Sequence, residues 1–282
     1  MKERLDLLLV QKGFFESREK AKRVIMTGVV FADGRREDKA GTKVNEDAEI
    51  EVKGGTCPYV SRGGLKLAKA VSEFDIDLGG AYCADMGAST GGFTDCMLQN
   101  GAAKVYAMDV GYGQLDWKLR TDERVVNMEK TNIRYLDRAL VEEAIDFVSI
   151  DVSFISLTLI LPVAYDVMRD GGNLVCLVKP QFEAGRDQVG KKGIVKDKSV
   201  HREVIIKVAE FSRILGFGIQ GITFSPMTGA KGNIEYLIYM KKTADTGMEP
   251  EEVVKKTGEV VEMAHCKLMN GGSQAQLKEE KK

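Results

Sequence analysis

The sequence predicts an α/β fold, a Rossmann-like, doubly wound, mostly parallel seven-stranded sheet, preceded by a small α+β module. Three observations predict it. Seven short apolar runs (YCADMG, VYAMDVG, VVNMEK, IDFVSIDVS, NLVCLVKP, GIQGITFS and IEYLIYMKK) alternate with helix-like stretches through residues 82–242. Such alternation calls for crossover helices over a sheet buried on both faces. A glycine-rich turn, ADMGASTGGFTD, leads from the first run into a helix, where a ligand can approach bare backbone closely. The first 55 or so residues have another texture, two helices followed by short β-like pieces.

Leu5, Leu8 and Leu9 stand at helical spacing, and a second helical pattern opens at Ser17, a suitable N-cap, carrying Ala21, Val24 and Ile25 on one side. VVFADG and AEIEVKG follow as strands, with turns at Asp33-Gly34 and Asn45. GGTCP, residues 54–58, reads as a linker. Ser61 then opens a helix whose Leu65, Ala68 and Val71 are expected to face a core. After the parallel strands, a charged helix is expected over residues 201–215, and the last two strands read as an antiparallel edge hairpin. The tail from Thr243 is charged, holds one helix through Leu268, and ends in NGGSQAQLKEEKK, which has the composition of a disordered segment. Three regions result: 1–58, 59–245 and a tail, 246–282.

Composition excludes several classes. Lys and Arg number 41 against 42 Asp and Glu, so any nucleic-acid surface must come from local patterning. The five cysteines are widely spaced with no Cys-x-x-Cys, and there are two histidines, which argues against a disulfide framework or a metal centre. The N-terminal apolar run is too short for a signal-peptide core, and the stretch 154–164 is too short to span a bilayer. A cytoplasmic, reduced protein with no membrane association is expected.

Three ligands compete for the glycine loop. A dinucleotide fold requires G-x-G-x-x-G, but Ser89 stands at the middle position and the glycines fall at Gly87, Gly91 and Gly92. A triphosphate loop requires lysine after its second glycine, and Phe93 is there instead. S-adenosylmethionine needs no phosphate clamp; it offers an ammonium, a carboxylate, a ribose diol and an adenine. Asp85, ending the first strand, suits the ammonium, and Asp109, ending VYAMD, suits the two ribose hydroxyls. A tight turn with Asp85 as a helix cap is the plainer alternative.

Further charged residues fall at strand ends or within apolar strands. Asp151 ends IDFVSID and should emerge at the same sheet edge. Lys179 ends NLVCLVKP, where a lysine among apolar strands and near a second lysine is suited to taking a proton from a poor acid such as a ribose hydroxyl. Glu235 lies in the apolar GNIEYLIY and needs a cationic partner. Lys66, on the helix SRGGLKLAKA, is a candidate for it.

In that chain order, Lys66, Asp151, Lys179 and Glu235 resemble the Lys-Asp-Lys-Glu tetrad of FtsJ-type ribose 2'-O-methyltransferases. The strings PYVSRGGLKL, GASTGGFTDC, DVGYGQLDWKLR, IDVSFISL, LVKPQFEAGR and KGNIEYL are similar to the TlyA family of rRNA methyltransferases, also labelled hemolysin A, over residues 1–242. The resemblance implies a class I methyltransferase domain behind an N-terminal S4 RNA-binding domain. It implies methyl transfer from S-adenosylmethionine to a cytidine 2'-hydroxyl in small- or large-subunit rRNA, with ribosomal subunits as partner. By the same resemblance, Lys179 deprotonates or polarises the hydroxyl, Asp151 and Glu235 hold the lysines and the ribose, and Lys66 completes the network. Asn132 is expected near the adenosine.

From Lys12 to Arg36 there are seven basic residues against three acidic. Arg18, Lys20, Lys22 and Arg23 on the second helix, with Arg4, are the expected phosphate contacts. Other readings are a membrane-active hemolysin, a non-catalytic RNA-binding assembly factor, and a base methyltransferase on the same fold.

Overall fold

The computed structural model describes residues 2–15, 17–26, 28–52, 57–245 and 247–269. Most of the expected linker and the low-complexity end of the tail lie outside the described residues. The chain divides into two compact units, Met1–Arg62 and Gly63–Lys282.

The first unit runs β1 (Lys2–Arg4), α1 (Leu5–Gln11), α2 (Arg18–Met26), β2 (Val30–Ala32), β3 (Arg35–Glu37), β4 (Lys43–Asn45) and β5 (Ile50–Val52). Leu5, Leu8 and Leu9 of α1 and Ala21, Val24 and Ile25 of α2 form its core with Val30 and Ala32, as their helical spacing requires. Ser17 caps α2, its Oγ accepting from the Lys20 amide at 3.2 Å. Asp33 and Gly34, with φ of 51° and 73°, make the two-residue turn between β2 and β3. The sheet order is β3-β2-β5, and β1 pairs separately with β4. That second pair was not anticipated, because KER and KVN are too short and charged to show alternation. Asn45 ends β4, and the turn closes just after it through Ala48 N to Asn45 O at 3.0 Å.

The second unit begins with α3 (Gly63–Glu73) and continues β6 (Tyr82–Met86), α4 (Gly92–Gln99), β7 (Lys104–Met108), α5 (Trp117–Arg120), β8 (Val125–Met128) and β9 (Ile145–Ile150). It ends with α6 (Leu161–Val167), β10 (Met168–Val178), α7 (Pro180–Glu183), α8 (Lys198–Leu215), β11 (Phe217–Phe224), β12 (Tyr236–Lys242) and α9 (Pro250–Met269). Seven strands form one sheet in the order β11-β12-β10-β9-β6-β7-β8. The pairs among β10, β9, β6, β7 and β8 are parallel. β12 runs antiparallel to both β10 and β11, so the expected hairpin forms. Its second strand, however, is inserted between β10 and β11 and is not an edge. Tyr236, Leu237, Ile238 and Met240 are fully buried there, which suits an interior strand.

The expected face of α3 needs correction. Gly64, Leu67 and Ala70 are the buried stripe, whereas Leu65, Ala68 and Val71 are half-buried. The helix is turned by one position because Lys66 and Lys69 have inward partners, Glu235 and the Phe224 carbonyl, each at 2.6 Å. α8 starts a few residues earlier than expected, with the Asp197 carboxylate accepting from the Ser199 amide at 2.8 Å as N-cap.

Both histidines of the chain are buried. The Tyr236 hydroxyl lies 2.6 Å from His201 Nδ1, and His265 Nε2 lies 3.2 Å from the same atom. Burial lowers His201 to about 4, so the imidazole is a neutral tie between α8, β12 and α9. Among the described residues no helix is long and apolar enough to cross a membrane, and no group of acidic, cysteine or histidine side chains could hold a metal ion.

Sheet topology fixes where a ligand can sit. From β6 the chain passes first to β7 on one side, while β9 pairs on the other. A crevice therefore opens beyond the carboxyl ends of β6 and β9, the switch point of a doubly wound sheet.

Candidate active site

Gly87 follows β6 with φ of 94°, and a Cβ there would stand 2.6 Å from the Asp151 carbonyl oxygen. Only glycine lets the loop cross the end of β9 this closely. The amides of Gly87 and Ala88 both donate to the Met108 carbonyl, at 2.9 and 3.0 Å, which pins the loop to the end of β7. Ser89 has φ of 49°, and its amide donates to Asp109 Oδ2 at 2.9 Å. The Gly111 amide donates to Asp109 Oδ1 at 2.7 Å. Asp109 is thereby fixed, half-buried, with each carboxylate oxygen accepting from one backbone amide. Gly91, at φ of 91°, precedes α4, and a side chain there would overlap Leu119. Gly92 is the first residue of α4.

Asp85 departs from expectation. It is fully buried, and its two oxygens accept from Thr94 Oγ1 at 2.6 Å and Ser149 Oγ at 3.1 Å. Burial raises its carboxyl to about 7, against the pull of the Thr94 and Ser149 hydroxyls. Asp85 braces β6, α4 and β9 beneath the loop.

Lys66, Asp151, Lys179 and Glu235 converge from α3, the end of β9, the end of β10 and the residue before β12. Lys179 Nζ lies 2.5 Å from Asp151 Oδ1, and Lys66 Nζ lies 2.6 Å from Glu235 Oε2 and 3.9 Å from Asp151 Oδ2. Lys179 and Glu235 are buried. Two ammonium groups and two carboxylates balance there, which is what allows four charges to be held so far from water. Lys179 also donates to Ser153 Oγ at 2.9 Å.

Ser153 in turn lines a cleft of about 910 Å³. Its walls come from segments following four parallel strands: Val110 after β7, Asn132 after β8, Ser153 and Phe154 after β9, and Gln181 after β10. Asn132 thus reaches the cleft, where its Oδ1 accepts from the Arg134 amide at 3.3 Å. Phe154 is 90% exposed and packs against Phe182 with ring centroids 4.9 Å apart.

The basic patch is smaller than expected. Arg4 and Arg18 both bind Asp6, at 3.0 and 2.8 Å. Asp6 is buried, and the Arg4 hydrogen bond, with Arg18, holds its carboxyl down at about 2. These two guanidiniums hold the unit together as much as they face solvent. Lys22 lies 4.0 Å from Glu19 and Lys20 is half-buried; the side chain of Arg23 lies outside the described residues.

Three contributors were missed by sequence reasoning. Ser153 carries no signal beyond its nearness to Asp151. Gly229 reads as an ordinary turn residue, but a Cβ there would overlap the Glu235 carboxylate. Glu129, directly after β8, accepts from the Gln114 amide at 2.9 Å and pairs with Arg120, which holds its carboxyl at about 2 and secures the loop after Asp109. An acid directly after the strand residues of VVNMEK is the same signal that marked Asp109.

A switch-point loop, an acid fixed by two backbone amides and a lysine-carboxylate cluster, all on one sheet edge, define a methyltransferase of the doubly wound α/β class. The chain belongs to the FtsJ-like methyltransferase family, whose model matches residues 59–242, and an S4 domain model matches residues 3–50. It is 53% identical over 271 residues to YqxC of Bacillus subtilis, provisionally named an rRNA methyltransferase, with 95% of each chain covered. Over 246 residues it is 41% identical to the Mycobacterium tuberculosis protein named 16S/23S rRNA (cytidine-2'-O)-methyltransferase TlyA, covering 87% of this chain and 92% of that one. A solved structure of a hemolysin-named protein from Streptococcus thermophilus aligns with a TM-score of 0.78 at 48% identity, covering 96% and 98% of the two chains.

Proposed function

We propose that this protein transfers a methyl group from S-adenosylmethionine to the 2'-hydroxyl of a cytidine in the rRNA of a ribosomal subunit. The observation that carries the reading is the Lys179–Asp151 pair beside Ser153 on the wall of the cleft. It sets a lysine, held by a carboxylate, at the end of a parallel strand, where the neutral amine left by loss of the ammonium's own proton can accept one from a hydroxyl. The name of the M. tuberculosis relative supports the substrate.

The residues present fit the methyl donor. Asp109 has acceptor positions left for a ribose diol, the loop from Gly87 to Gly92 is bare enough for close approach, and Asn132 supplies a polar edge for an adenosine. The donor supplies an electrophilic methyl carbon on a sulfonium. The chain's task is alignment of the hydroxyl and removal of its proton. Lys179 holds the ribose hydroxyl: as the ammonium it donates to the hydroxyl oxygen and polarises the O–H bond, and as the neutral amine, its own proton having passed to solvent, it takes the proton released as the oxygen gains the methyl. Asp151 orients Lys179, and Glu235 with Lys66 closes the charge balance behind them. Phe154 offers a flat apolar face to a base turned out of its helix. In the S4 unit, Lys20, Lys22 and Arg23, with the outer edges of Arg4 and Arg18, contribute phosphate contacts that position the RNA without reading it.

The test is tritium transfer from labelled S-adenosylmethionine to isolated ribosomal subunits, followed by alkaline hydrolysis. A 2'-O-methyl blocks cleavage at one position. Label on a base, or no label on either subunit, would overturn the reading.

A further inference from the structure

Gln181 is the second residue of α7, two positions after Lys179 and next to Phe182. It lines the cleft with Ser153, Phe154 and Phe182. Its Oε1 is enclosed, yet no group among the described residues donates a hydrogen bond to it. A buried amide oxygen without a donor is costly and uncommon in folded proteins. Here it occurs within two residues of the proposed proton acceptor, in the wall of the cleft that would receive the substrate.

We propose that Gln181 is the residue that takes the Watson–Crick edge of the acceptor base, its amide oxygen accepting from the exocyclic 4-amine of cytosine. The inference rests on the ribose-methylation reading above. With the 2'-hydroxyl held at Lys179, the base of the same nucleotide extends into the cleft past Ser153. Its flat face meets Phe154, itself braced by Phe182, and its edge then meets Gln181, which precedes Phe182 on that wall. The last torsion of a glutamine side chain is soft, so the amide turns from its enclosed position to the base without moving α7. Cytosine presents an amine donor beside the N3 acceptor, which matches one amide face with two hydrogen bonds. The same amide turned over would meet a 4-keto group. The contact therefore orients a pyrimidine edge and does not by itself exclude uridine.

The experiment is a cycle between one side chain and one base substituent. Ribosomal subunits are reconstituted with rRNA carrying, at the methylated position, either cytidine or its analogue lacking the 4-amine. Wild type and Gln181→Leu are compared on both. Removing the amine should lower kcat/KM of the wild type by about 10- to 100-fold. Gln181→Leu should lose a similar factor on cytidine, be indifferent to the amine, and bind S-adenosylmethionine as the wild type does. A Gln181→Leu enzyme as sensitive to the amine as the wild type overturns the proposal. So does a wild type that is insensitive to the amine, a result that needs no variant to fold. If the wild type places no methyl on any ribose, the parent reading falls first and this one with it.

Discussion

Lys66 Nζ lies 2.6 Å from Glu235 Oε2, although the two residues are 169 positions apart in the chain. Glu235 has no other cation within ion-pair distance among the described residues, and its side chain is 4% exposed. Lys66→Met should therefore leave a buried carboxylate unpaired and destabilise the larger unit by ~3–5 kcal/mol. Thermal unfolding would read this directly. The double change Lys66→Met with Glu235→Leu should recover much of the stability and none of the methyl transfer.

Lys179→Met removes the proposed proton acceptor while keeping most of the length of the side chain. Transfer should fall by about 10²–10⁴-fold, with the affinity for S-adenosylmethionine within about twofold of wild type by calorimetry. Turnover at the wild-type rate would remove Lys179 from its role.

Two glycines should separate donor binding from chemistry. Gly87→Ala forces a side chain into a left-handed backbone position and against the Asp151 carbonyl, at a cost of ~1–3 kcal/mol, and should weaken donor binding as well as transfer. Gly229→Ala presses on the Glu235 carboxylate. It should lower kcat while leaving the donor dissociation constant unchanged.

Asp85 gives a pH dependence of defined sign. Its carboxyl is raised to about 7 by burial, from about 3.9 in an unfolded chain. Between these values the folded chain binds the extra proton, so this group's contribution to stability falls as pH rises from about 4 to about 7 and is level above. Asp85→Asn should remove that slope. In denaturant titrations the variant should gain on wild type between pH 5 and pH 8, by no more than ~4 kcal/mol.

Lys20→Ala with Lys22→Ala should weaken binding to ribosomal subunits and lower the slope of log K against log salt by about 1–2. Donor affinity should not move, because the donor loop belongs to the other unit. An unchanged salt slope would take these lysines out of the RNA surface.

The parts of the fold legible in the sequence are those where one face or both faces of an element are apolar. The parallel strands announced themselves as continuous apolar runs, and α1 and α2 as three-four spacings, because burial repeats with the geometry of the backbone. The insertion of β12 between β10 and β11 was not legible, since strand order is set by crossovers and not by the composition of one strand. The phase of α3 was misread for a related reason: Lys66 and Lys69 look like solvated lysines until their distant partners are in place. In the site, Asp109, Asp151 and Lys179 were visible as charges ending apolar strands. Asp85 carried the same mark and proved to be a buried brace, because strand-end position does not say which way a side chain turns. Gly229 and Gln181 were both silent, since their importance lies in what they touch across the fold.

The placement of β12 has a consequence for the order in which the cluster can form. Glu235 directly precedes β12, the last strand in chain order, which lies between β10 and β11, and its partner Lys66 stands near the start of the second unit. A chain still being synthesised carries the S4 unit and the loop from Gly87 to Gly92 long before it carries both members of the Lys66–Glu235 pair. The Lys66–Glu235 pair can therefore close only after the last strand of the sheet has been made.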